Sequence, residues 1–124
     1  RIPDPGRFEL RLMDGSVNPY LLQAGIIAAG IDGIEKKLDP GQPLFVNMYT
    51  EGNNYPNVKK LPSSLEKALE HLSKSVVLLT GFGEKNITSY LKLKEQELKD
   101  FNSKETFSKK EPITDWEKVN TLDC

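Results

Sequence analysis

Gly6-Arg7-Phe8-Glu9-Leu10-Arg11-Leu12 is followed by Met13-Asp14-Gly15-Ser16-Val17-Asn18-Pro19-Tyr20-Leu21. The first run alternates apolar and charged residues, the signature of a half-buried strand. Phe8, Leu10 and Leu12 share one face, and Arg7, Glu9 and Arg11 share the other. Met13-Asp14-Gly15-Ser16 reads as a turn. Asn18 then caps a helix and Pro19 takes its first position, where a missing N–H costs nothing.

That helix continues through Leu22, Ile26, Ile27, Ile31 and Ile34. Its apolar residues lie on nearly every side, so most of it is expected to be buried. Gly25, Ala29 and Gly33 fall four apart and form a narrow ridge that lets another backbone approach. Each glycine weakens an isolated helix by about 1 kcal/mol relative to Ala, a loss that packing must offset. Asp39-Pro40-Gly41-Gln42-Pro43 ends the pattern. From there to Pro62 no period is sustained, which predicts a long surface loop with room for a short strand at Leu44-Phe45-Val46.

Ser63-Ser64-Leu65-Glu66 opens a second helix, with a capping box expected from Ser63 to Glu66. Leu65, Ala68, Leu69, Leu72 and Val76 form its stripe. Val76-Val77-Leu78-Leu79 fits a buried strand or a helical turn equally well. Gly81 and Gly83 close it, and Gly81-Phe82-Gly83 reads as a helix end rather than a phosphate loop. A third helix is expected from about Glu84 to Phe101. The segment from Asn102 to Pro112 is polar and reads as loose, and Trp116 and Leu122 anchor a final turn.

The inventory is one strand and three helices, an α+β chain. A lone strand leaves its backbone donors and acceptors without partners. The chain therefore reads as a fragment, or as one that completes a sheet with another chain. A first residue of Arg points the same way.

Composition narrows the function. The 124 residues suit one domain, able to bury roughly two thirds of its unfolded surface if compact. Seventeen basic and eighteen acidic side chains nearly cancel, which disfavours nucleic acid and anionic membrane as partners. The longest uncharged apolar stretch, Val17 to Ile31, is shorter than the ~20 residues of a membrane span. The single cysteine, Cys124, excludes a disulfide framework or a cysteine zinc site within the chain and fits a reduced, cytoplasmic setting.

Several of these segments together carry a family resemblance. Arg1-Ile2-Pro3, Gly6 to Arg11, Asp14 to Leu21, Ala28-Ala29-Gly30-Ile31-Asp32-Gly33-Ile34, Asp39-Pro40-Gly41 and Asn47-Met48-Tyr49 resemble the C-terminal part of the glutamine synthetase catalytic domain. Leu61 to Leu69 and Tyr90 to Lys94 are similar to the family's end region. The resemblance implies that residues 1–124 are an incomplete portion of that domain. It implies that Arg1 and Arg7 bind nucleotide, that Glu9 ligates a catalytic Mg2+ or Mn2+, and that Arg11 holds substrate glutamate and the transferred phosphoryl group. The implied reaction uses ATP to make γ-glutamyl phosphate, which ammonia then attacks, in a homo-oligomeric ring.

The physics of the three strand residues fits such roles. Residues two apart on a strand point the same way, roughly 7 Å apart. A carboxylate is a hard ligand, and flanking guanidiniums can clamp phosphate oxygens. Taken alone, Arg7-Glu9-Arg11 is better read as a solvated sheet face stitched by ion pairs; the surrounding match reverses that.

The family's remaining ligands, several glutamates and a histidine, lie upstream, so the chain alone is expected to be inactive. His71 matches none of them. Tyr49 sits where some bacterial members are adenylylated, but Thr50-Glu51-Gly52 departs from the expected acidic, proline-rich run. The C-terminus resembles a divergent branch. Two alternatives follow, a ligase joining glutamate to a small amine or polyamine and a non-catalytic helical assembly module.

Overall fold

In the computed structural model the described residues are 4–13, 15–104 and 113–121. They form six α-helices: α1 (Pro19–Glu35), α2 (Met48–Glu51), α3 (Leu65–Ser73), α4 (Val76–Phe82), α5 (Glu84–Lys104) and α6 (Asp115–Asn120), with a 3-10 turn at Gly52–Asn54.

Helix α1 begins as its sequence dictates. The Asn18 Oδ1 accepts from the Tyr20 and Leu21 N–H groups, both at 3.0 Å, and Pro19 follows the cap. These bonds satisfy two of the donors that every helix start leaves open. At the other end Lys37 takes φ +50°, and the Leu38 N–H reaches back to the Gly33 carbonyl at 2.9 Å. That six-to-one closure satisfies a late carbonyl.

The expected burial of α1 is not observed. None of its 17 residues is buried, and Ile34 is 78% exposed. Among the described residues its main packing partner is α4, and much of the rest of its surface stays open. The small residues govern that contact. A Cβ built on Gly25 would lie 3.8 Å from the Phe82 ring and 3.9 Å from Leu78 Cδ2. A Cβ on Gly81 would lie 2.9 Å from the Ala28 Cβ, closer than two such atoms approach. Gly81, inside α4 rather than at its end, is thus what lets the two helices meet. Gly33 has no atom within 4 Å of its virtual Cβ, so the expected ridge is used only at Gly25.

This contrast fixes the sign of two substitutions. Gly33→Ala should raise stability by ~0.5–1 kcal/mol through helix propensity alone. Gly81→Ala gains the same propensity but forces two backbone-anchored methyl groups apart, at a cost of ~1–3 kcal/mol, and should be destabilising on balance. Urea titration of the far-UV dichroism at one protein concentration reads both. A Gly81→Ala variant as stable as Gly33→Ala would contradict the packing.

The second expected helix is two. Ser64, not Ser63, caps α3 by accepting from the Lys67 N–H at 3.3 Å, and with lysine at the third position no capping box forms. Ser75 then caps a new helix, accepting from the Leu78 N–H at 3.4 Å, so Val76-Val77-Leu78-Leu79 is helical. Gly83 ends α4 with φ +83°, the conformation that favours glycine, and α5 starts at the next residue. The loop expected after Gly41 contains α2 in place of a strand, with Asn47 Oδ1 accepting from the Tyr49 N–H.

The core is small. Leu69 of α3 and Ile87 of α5 are the buried apolar residues among those described. Beyond them, Phe101 meets Trp116 edge to face, with ring centroids 5.6 Å apart. Thr114 and Glu117 form a reciprocal capping box on α6. Backbone and hydroxyl hydrogen bonds from Thr114 hold the Glu117 carboxyl below the usual range.

The strand expected over Phe8 to Leu12 is not formed. The described residues contain one isolated antiparallel bridge, Asp4 with Arg7, and no ladder. The described residues are thus mainly helical and do not by themselves make the expected α+β arrangement. The physical reason is the one that made the lone strand suspect: a ladder needs a second strand, and no described segment supplies it.

Candidate active site

The segment before α1 carries three of the four expected site residues; Arg1 lies outside the described residues. Asp4-Pro5-Gly6-Arg7 is a tight turn. The Arg7 N–H donates to the Asp4 carbonyl at 3.2 Å, and Gly6 has φ +76°. Proline second and a positive-φ glycine third fit a type II turn. The side chains close over the same turn, with Arg7 Nη2 2.9 Å from Asp4 Oδ2.

Glu9 and Arg11 meet directly, the Arg11 Nε donating to Glu9 Oε1. Glu9 is half-buried and Arg11 is exposed. Residues 9–12 line a shallow, open concavity of about 290 Å³. The structure thus brings Glu9 and Arg11 together, while the Arg7 guanidinium meets Asp4.

A divalent cation of this class takes six or more oxygen ligands. Among the described residues no group of three or more His, Cys, Asp or Glu side chains is placed to hold one. Of the described carboxylates in the segment, Glu9 is engaged by Arg11 and Asp4 by Arg7. The described residues therefore do not make up a cation site by themselves. His71 is exposed in the last turn of α3 and joins no such group. Asp4 escaped the sequence reading, although Asp-Pro-Gly-Arg was legible as a turn pairing its first and fourth side chains.

With this arrangement in view, comparison with known proteins decides the family. The model of the glutamine synthetase catalytic domain matches residues 1–113. This chain belongs to the glutamine synthetase family. Over 123 residues it is 44% identical to a glutamine synthetase of Rhizobium meliloti (strain 1021), covering 99% of this chain and 26% of that protein. Over 95 residues it is 41% identical to a glutamate–methylamine ligase of Methyloversatilis universalis, covering 74% of this chain and 21% of that protein. Over 111 residues it is 35% identical to a γ-glutamylethanolamide synthetase of Streptomyces coelicolor, covering 90% and 21% respectively. The chain thus spans about a quarter of the length of the curated relatives it matches. No helix among the described residues is long and apolar enough to cross a membrane.

Proposed function

We propose that this chain is part of an ATP-dependent ligase that joins the γ-carboxyl of glutamate to ammonia. The observation that carries the reading is the family match over residues 1–113, which includes the whole Arg7-Glu9-Arg11 segment. In the full-length enzyme, residues 8–12 form a strand of a larger antiparallel sheet, giving the α+β domain that the isolated segment cannot build. Phe8 and Leu12, both more than half exposed, then have an apolar layer to face.

Phosphoryl transfer needs positioned cationic groups around spreading negative charge. Arg1 and Arg7 hold nucleotide phosphates in this reading. Arg11 turns from Glu9 to hold the glutamate substrate and the oxygens of the phosphoryl group as γ-glutamyl phosphate forms. Glu9 contributes one oxygen ligand to a Mg2+ or Mn2+ whose remaining ligands come from elsewhere in the enzyme. Assembly as a homo-oligomeric ring and a cytoplasmic setting, where ATP is abundant, belong to the same proposal.

The relatives named for methylamine and ethanolamide products favour a second reading, in which a small amine replaces ammonia. Full-length enzyme with glutamate and ATP separates the two by ADP release. Ammonium should exceed methylamine and ethanolamine by about tenfold or more in kcat/KM, the discrimination a pocket can make on one added carbon. A reversed order would establish the amine reading, and no ADP with any acceptor would overturn both.

A further inference from the structure

We propose that Asp4 is a positioning residue for Arg7, holding its guanidinium ready for nucleotide phosphate. The inference rests on the nucleotide role given to Arg7 above. Three observations converge on the pair. The Arg7 N–H is bonded to the Asp4 carbonyl, the two residues form the antiparallel bridge, and their side chains meet at 2.9 Å. Pro5 fixes its own φ, and Gly6 supplies the positive φ that a type II turn needs and other residues avoid.

The chemistry allows shared use of the guanidinium. It carries five donors in a planar fork, and Asp4 engages Nη2. Such a fork can hold a carboxylate on one edge and a phosphate oxygen on another. A long arginine side chain in solvent loses rotamer freedom when it grips a ligand. Pairing with Asp4 removes part of that loss before nucleotide arrives. The pair is exposed on both sides, so the effect is modest.

The test uses the full-length enzyme and direct ATP binding by calorimetry, alongside steady-state kinetics. Asp4→Ala should raise the Kd for ATP by about two- to fivefold. The KM for glutamate and kcat at saturating ATP should stay unchanged. Asp4→Glu should recover most of the loss, and Asp4→Ala should add nothing in an Arg7→Ala background. Unchanged or tighter ATP binding in Asp4→Ala, with Arg7→Ala impaired, overturns this proposal alone, as does an equal loss in both backgrounds. ATP affinity indifferent to Arg7→Ala overturns the reading of Arg7 and this proposal with it.

Discussion

Glu9→Gln in the full-length enzyme is expected to cut turnover by about a thousandfold, the rate equivalent of losing several kcal/mol of metal-assisted charge stabilisation. Glutamine keeps the size of the side chain and removes the charge that a hard cation needs. Metal titration should shift to higher concentration while the thermal transition stays close to the parent's. Arg11→Lys is the companion. It keeps a charge and loses the planar fork, so glutamate use should weaken and chemistry slow, with ATP binding less affected. The ion pair between the two residues supplies the opposing forecast. An exposed pair contributes ~0–1 kcal/mol to stability. If that were the whole role of Glu9 and Arg11, both variants would match the parent in activity. Near-normal turnover with an unchanged metal titration in Glu9→Gln would end the catalytic assignment.

The second large effect concerns the 124-residue chain alone. It should form no amide from glutamate, ATP and ammonium above background, and it should self-associate. Both follow from what the described residues lack: a group of ligands for a cation, and a cover for their apolar side chains. Phe45 is 91% exposed, and Phe8, Leu12, Ile27 and Ile34 are all more than half exposed. Surface of this kind is normally covered by structure or by another molecule. Light scattering during gel filtration should show a mass that rises with concentration. A monomeric mass with a sharp, concentration-independent thermal transition would refute the association, and γ-glutamyl transfer by the chain would refute the inactivity.

What the residues revealed in advance was chiefly what is local. Asn18-Pro19 fixes the start of α1 because cap and first turn are made within four residues. Adjacent Ser63 and Ser64 offer the same hydroxyl, and only the backbone path shows which accepts from Lys67. Thr114-Asp115-Trp116-Glu117 has the Thr-x-x-Glu spacing of a capping box, which is local and legible. Leu72 and Val76 look continuous as a stripe, and the break between them is made by Ser75, whose hydroxyl caps α4. The strand at Phe8 failed for the opposite reason, since alternation states a preference that only a partner strand can satisfy. In the site, Arg7 and Arg11 stand at equal spacing from Glu9, so spacing alone does not show that Arg11 meets it. The pairing of Arg7 with Asp4 required reading Pro5-Gly6 as a turn.

Gly83 is the corner between α4 and α5, and beyond it α5 runs 21 residues, about 32 Å at the usual rise. Helix α4 is seated on α1 where Gly81 meets Ala28. That contact is the short arm of a lever, and α5 is the long one. A tilt of about five degrees at the corner would swing the far tip of α5 by about 3 Å over that length. The tip carries Phe101 and its contact with Trp116. One methyl group added at position 81 or enlarged at position 28 would therefore be passed toward the opposite end of the chain to the extent that the packing of α5 on α3 yields. Drift in related sequences should be tightest at this fulcrum and looser along the arm it steers.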